Sequence, residues 1–153
     1  MPERRHLLLA SAGLPLLAQA GPASAWLDAT ELARRTEALR NAELAFAASM
    51  AERNFAAFRA ALAEDCVFFN SRSEPLIGAE LVSTQWQRFY EGPKAPFSWS
   101  PDQVVVLPSG ELGRSTGPVR DPEGKVVQRF QSIWRWHADG GWRIVFDFGT
   151  PVA

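Results

Sequence analysis

The chain has 153 residues, 46% hydrophobic and 22% charged, ordinary globular values that exclude wholesale disorder and suit one domain. A formal net charge of −1 gives no electrostatic reason to bind nucleic acid or an anionic membrane. Six tryptophans and ten phenylalanines are a heavy aromatic load, enough for a packed core and a pocket wall.

Residues 1–25, MPERRHLLLASAGLPLLAQAGPASA, have a basic start, an apolar middle and an Ala-Ser-Ala ending, the pattern of a cleavable export signal. The middle carries Gly13 and Pro15 and is too short for a stable membrane span. Arg4-Arg5 suits a twin-arginine signal and equally the basic region of a Sec signal, so both routes stay open. The expectation is an exported protein, periplasmic or secreted, that begins at Trp26 and has no membrane attachment after cleavage. Residues 26–153 are then its single domain. Cys66 is the sole cysteine, so no internal disulfide can form and the exported chain relies on its core. Beside Val67-Phe68-Phe69 it reads as a small buried hydrophobe.

Asp28 followed by Glu31 resembles a capping box. Leu32, Leu39, Phe46 and Met50 then keep one face of a long helix apolar to about Glu52. Phe55, Phe58 and Leu62 mark a shorter helix, and Cys66 to Asn70 a brief strand. A third helix runs from about Ala79 to Tyr90, with Val82, Trp86 and Phe89 on one side. The rest reads as antiparallel sheet: Gln103 to Leu107, Glu111 to Val119, Val126 to His137 and Trp142 to Phe148, with turns at Pro108-Ser109-Gly110, DPEG and Ala138 to Gly141. Helices first and a meandering sheet last predict an α+β domain with helices on one face.

The order LAEDCVFF, a Gly-led third helix, GELGRSTGP and GWRIVFDFGTP resembles the SnoaL-like, ketosteroid isomerase-like branch of the nuclear transport factor 2-like superfamily, over roughly Glu43 to Pro151. The resemblance implies a cone-shaped fold: three N-terminal helices packed on a strongly curved, mostly antiparallel sheet that encloses a cavity, often in a homodimer. It also implies functions from isomerases, dehydratases and cyclases to plain binding domains, so fold leaves function open. In the isomerases an Asp moves the proton while a Tyr and a protonated Asp hold the oxyanion. Here the base position falls on Asn70 and the Tyr position on Phe46, which disfavours steroid isomerase chemistry.

Other chemistry is thinly represented. His137, the one histidine after the leader, reads as a solvated strand end, so neither a metal nor another cofactor is expected. Strand alternation turns Phe130, Ser132, Trp134 and Trp136 inward, with Trp142, Ile144, Phe146 and Phe148, and leaves Asp147 outward. In GELGRSTGP, Leu112 suggests that Arg114 and Thr116 also face inward. Arg114 then pairs internally, reaches solvent through the mouth, or anchors an anion. The expected pocket has Trp86, Tyr90 and Trp99 at its mouth, Phe130, Trp134, Phe146 and Phe148 as floor, Arg114 and Thr116 as polar side, and Asn70 nearby.

The leading expectation is a binding domain for a small apolar or aromatic ligand, anionic if Arg114 is its anchor. A second is an enzyme that moves a proton on a small carbonyl or aromatic compound, with Asp147 or Glu80 as base. A third is a dimeric interaction module with a filled cavity. A carboxyl of strongly raised pKa inside the cavity favours the enzyme, an open apolar pocket without one favours binding, and no void favours the module.

Overall fold

The computed structural model describes residues 26–69 and 74–152. The leader and Asn70 lie outside them.

Helix α1 (Ala29–Ala51) begins where the Asp28 side chain accepts the Glu31 N–H at 2.9 Å, as the capping box predicts. Its stripe Leu39, Phe46 and Met50 is buried. Helix α2 (Phe55–Ala60) is capped by Asn54. Between them Arg53 sits at φ 57°, and its guanidinium donates to the carbonyls of Met50, Phe89 and Gly92. Those bonds hold a left-handed backbone that a bulky residue otherwise avoids.

Strand β1 (Leu62–Phe69) starts earlier than the expected Cys66, because Leu62 already pairs with Ile144. Strand β2 (Pro75–Ile77) leads to α3 (Ala79–Trp86), after which Gln87–Tyr90 tightens into a 3-10 turn. Strands β3 (Ser98–Trp99), β4 (Gln103–Val106), β5 (Leu112–Arg120), β6 (Val126–Trp136) and β7 (Trp142–Pro151) complete the chain. The seven strands form one unclosed, curved sheet in the order β2-β1-β7-β6-β5-β3, with β4 also on β5. Every pairing is antiparallel except β1 with β7. Helix α1 packs against the same face as β3, β4, β5 and β7. The fold is the expected α+β one.

Two faces differ from expectation. On β7, Trp134 pairs with Ile144 but Ile133 pairs with Phe146, so Val145 is an extra residue in the ladder. Because strands alternate with period two, one inserted residue exchanges the faces of everything after it. Trp142 and Ile144 point inward as expected. Phe146 instead points outward, 43% exposed, and Asp147 turns inward opposite Ser132.

On β5, Gly113, Ser115 and Gly117 face α1, while Leu112, Arg114 and Thr116 belong to the outer side. The helix crosses so closely that a Cβ on Gly113 would stand 2.3 Å from the Leu39 side chain. Small residues are required inside, so the larger Leu112 is the outer one.

Candidate functional site

A cavity of about 270 Å³ opens between α3 with its 3-10 turn and the concave half of the sheet. Phe46 comes from α1, Phe68 from β1, Trp86 from α3, Trp99 from β3 and Phe130 from β6. The aromatic rings touch one another in series. Trp86 meets Phe68 and Phe97 edge-on, Phe97 lies against Trp99, and Trp99 meets Phe46 edge-on. Such pairs hold rigid, flat walls. Among the described residues, the polar side chains on this wall are Gln85, Arg88, Gln128 and Asp147, and Asp147 is its one carboxyl.

Asp147 is half-buried, and Ser132 Oγ donates to its Oδ2 at 2.6 Å. Burial pushes the carboxyl up to about 7, although the Ser132 hydroxyl pulls the other way; negative charge on Glu43 adds to the rise. A carboxyl poised there has both protonation states available at neutral pH, the condition for a general acid or base.

Behind the wall lies Glu43 of α1, wholly shut from solvent. Its Oε1 accepts Trp99 Nε1–H at 2.7 Å, and its Oε2 stands 2.5 Å from Ser115 Oγ and 3.1 Å from Trp134 Nε1. The Trp134 N–H also reaches Ser115 Oγ at 2.9 Å. Burial raises the Glu43 pKa, against the hydrogen bonds it accepts from Ser115, Trp99 and Trp134. Of the two carboxyls, Asp147 is the one that the Ser132 hydroxyl bonds. Among the described residues, no basic side chain is ion-paired with either of them.

Of the residues expected at the pocket, Trp86, Trp99 and Phe130 line it, and Phe148 borders it too, although the extra residue puts it on the same sheet face as Phe146. Phe46, the position of the implied tyrosine, lines it too and offers no hydroxyl. The other described ones are elsewhere. Tyr90 is buried among Phe55 and Phe58, with its hydroxyl 3.1 Å from Ser49 Oγ. Trp134 is behind the wall on Glu43, its one polar atom spent there. Phe146 stacks on Phe69 on the outer face. Arg114 is exposed outside, donating to Gln131 and Gln103, so it neither pairs internally nor anchors a ligand in the cavity. Thr116 is buried with its hydroxyl 2.7 Å from the Phe130 carbonyl. Glu80 is exposed on the first turn of α3 and off the cavity wall.

Cys66 is buried, and desolvation pushes its thiol up to about 11, which keeps it protonated and inert. His137 is half-buried rather than solvated, with Nε2 enclosed and unpartnered. Among the described residues, no three His, Cys, Asp or Glu side chains converge as metal ligands would. Glu43 and Ser132, with Gln85, Arg88 and Gln128 on the wall, are site groups that sequence reasoning missed. The signal for Glu43 was its place inside the apolar stripe, four residues after Leu39 and three before Phe46.

An aromatic cavity in the concave face of a helix-backed sheet defines a nuclear transport factor 2-like, ketosteroid isomerase-like fold. The chain belongs to the SnoaL-like domain family, whose model matches residues 44–145. Among solved structures it is similar to a nuclear transport factor 2-like protein of unknown function from Pseudomonas putida, with 16% identity, 77% of this chain and 87% of that one covered, and a TM-score of 0.64. A putative dehydratase of the same family from Streptomyces avermitilis gives 16% identity, 79% and 98% coverage, and a TM-score of 0.64. A ketosteroid isomerase-like protein from Erwinia carotovora atroseptica gives 14% identity, 78% and 97% coverage, and a TM-score of 0.60. No curated protein matches the sequence. Glu43 and Asp147 lie one residue before and two residues after the matched segment.

Proposed function

We propose that this protein is an enzyme that moves a proton on a small, flat, largely apolar carbonyl or aromatic compound, with Asp147 as the acid–base group. One observation carries the reading: the single carboxyl on an aromatic cavity wall is raised to about 7 and bonded to a serine hydroxyl. The rings hold the faces of the substrate. Ionised Asp147 takes a proton from carbon beside a carbonyl, Ser132 stabilises the charged form, and the neutral acid returns the proton. An anionic end of the substrate fits Arg88, the basic side chain of that wall among the described residues. Phe46 supplies no hydroxyl for an oxyanion, so isomerisation of a β,γ-unsaturated ketosteroid is expected to stay at background.

The test is hydrogen exchange in heavy water on a panel of cyclic and aryl ketones, read by proton NMR at the carbon beside the carbonyl. Wild type should speed exchange for at least one ketone that calorimetry shows to bind. Asp147→Asn should lose about a hundredfold or more of that rate while affinity is kept. Binding without exchange in the wild type would return the protein to the second reading, a binding domain, which the preponderance of aromatic side chains on the wall favours.

The reading includes export and self-association. The 1–25 pattern supports a mature N-terminus at Trp26, which N-terminal sequencing of secreted material tests. An intact Met1 on an abundant cytoplasmic form would refute it. Changing Arg4 and Arg5 to Lys stops twin-arginine export and spares the Sec route. Exposed apolar residues on the outer sheet face support a homodimer through that face.

A further inference from the structure

Arg53 is the one described residue other than glycine with a left-handed backbone, at φ 57°. Glycine is the usual occupant of such a position at the end of a helix. A long side chain persists there only where its surroundings hold it, and such an outlier points to a role. Arg53 Nη1 donates to the Met50 carbonyl at 2.9 Å, closing the last turn of α1. Its Nε donates to the Gly92 carbonyl at 2.9 Å, and Nη2 donates to the Phe89 carbonyl. The guanidinium also lies 5.3 Å from the centre of the Tyr90 ring. Among the described residues no carboxylate pairs with it. A planar fork of N–H donors is thus committed to two stretches of backbone, the end of α1 and the chain from Phe89 to Gly92. A second tie joins the same two stretches, because the Tyr90 hydroxyl stands 3.1 Å from Ser49 Oγ of α1.

The chain held in this way is the helical rim of the cavity, where Arg88 and Phe89 line it. The Phe89 ring meets Trp86 and Phe97 edge-on, each at 5.4 Å, and the Arg88 guanidinium lies over the Phe89 ring at 4.7 Å. The residue whose carbonyl Arg53 holds is therefore the one on which Arg88 rests. A 3-10 turn of four residues has poor hydrogen-bond geometry of its own, so its place is set from outside. We propose that Arg53 is the positioning residue of this rim: by fixing the Phe89 and Gly92 carbonyls it keeps Phe89 in the aromatic wall and Arg88 over it, where the cavity selects a flat carboxylate over its neutral counterpart. The selection rests on the reading of the cavity as a ligand site and does not depend on Asp147. Lysine cannot replace the arginine, since one ammonium lacks the planar fork that spans both stretches of backbone. Glycine relieves the backbone and preserves the helix end, yet leaves the turn untied.

The experiment compares the full protein as wild type, Arg53→Lys, Arg53→Gly and Arg88→Gln. Amide hydrogen exchange without ligand, read by mass spectrometry, should quicken about tenfold or more in residues 87–92 of both Arg53 variants and stay at the wild-type rate in β6 and β7. Calorimetry with 2-naphthoate and 2-naphthamide should find the acid preferred by about tenfold in wild type. That preference should vanish in Arg88→Gln and fall to about threefold or less in both Arg53 variants. A residue that only stabilised the fold would weaken both probes alike and leave their ratio unmoved. Unchanged exchange in 87–92, or a wild-type ratio in both Arg53 variants, overturns the proposal. A wild type that does not prefer the acid overturns it too. If Arg53→Lys does not fold, Arg53→Gly still decides, because its backbone suits the left-handed position. Absence of proton exchange on every ketone, with the naphthoate ratio shifting as stated, would remove the acid–base role of Asp147 while leaving that of Arg53 standing.

Discussion

Asp147 ties the chemistry of the site to the stability of the fold. Its carboxyl ionises near about 7 in the folded chain and near 3.8 when unperturbed. The folded state therefore holds the proton more tightly between those values. The stability this contributes is complete below the lower value, is lost as pH rises toward 7, and stays lost above it. At about 1.4 kcal/mol per unit, the loss is at most about 4 kcal/mol. Asp147→Asn keeps an acceptor for Ser132 and removes the ionisation. Urea unfolding should find the variant close to wild type at acidic pH and more stable by up to about 4 kcal/mol at pH 8 or so. A variant less stable at both would show that the carboxylate is not strained by burial. A gain in stability with a loss of exchange is the exchange of stability for activity expected of a working site. Glu43 should behave oppositely. Glu43→Ala leaves the N–H groups of Trp99 and Trp134 without their carboxyl acceptor and opens a void, a cost of about 3–5 kcal/mol, against less than about 1.5 kcal/mol for Glu43→Gln. Equal losses in the two variants would mean that packing, rather than the hydrogen bonds to the carboxyl, sets the cost.

Secondary structure was legible in the sequence wherever a period ran long enough to declare itself. The stripe from Leu32 to Met50 and the alternation from Val126 to His137 marked α1 and β6 to within a residue or two. Strands β2 and β3, at three and two residues, are too short to carry a period. The site was misread for a different reason. Ile144-Val145-Phe146 is a continuous apolar run, and nothing in such a run marks which residue leaves the ladder. One extra residue there carried Asp147 into the cavity and Phe146 out of it. Likewise, Gly113 and Ser115 are small because α1 passes close to them, a tertiary fact that alternation cannot report. The same closeness makes Gly117 critical. It lies opposite Phe130, and a Cβ on it would stand 1.9 Å from the Ser100 carbonyl oxygen, a backbone atom with no easy escape. Gly117→Ala should push the chain around Ser100 away from β5, take Trp99 off the cavity wall and cost about 1–3 kcal/mol. Denaturant unfolding measures the cost, and a red-shifted tryptophan emission reports the wall. A variant as stable as wild type with unchanged emission would mean that β3 is free to shift without cost.

The molecule as a whole has two apolar surfaces, and only one of them is folded inward. Its concave side closes on the helices and the cavity. Its convex side carries Ile77 at 64% exposure, Val105 at 53% and Phe146 at 43%, and Phe69 at 47% stands where that side meets the cavity. Phe69 and Phe146 already stack on one another there. Ion pairs such as Arg135 with Asp65 and polar contacts such as Arg114 with Gln131 lie among these apolar residues. An apolar sheet face with polar residues interspersed is the make-up of a surface that pairs with a copy of itself about a twofold axis. Stable pairing calls for about 800 Å² from each partner, which a face of several strands can supply. Light scattering on the chain from Trp26 onward should therefore give twice the monomer mass at micromolar concentration. Phe146→Glu should give the monomer mass, because it sets two carboxylates against the centre of the joint. The change is made on the far side of the sheet from Trp134 and Ile144, so circular dichroism should report the same fold. Its neighbour Asp147 points the other way, and proton exchange on a bound ketone should survive dissociation if each cavity is complete within one chain. A wild type that is monomeric at every concentration would leave the convex face without a partner of its own kind. A monomeric Phe146→Glu that binds its ketone but no longer exchanges protons would mean that pairing holds β7, and with it Asp147, in register.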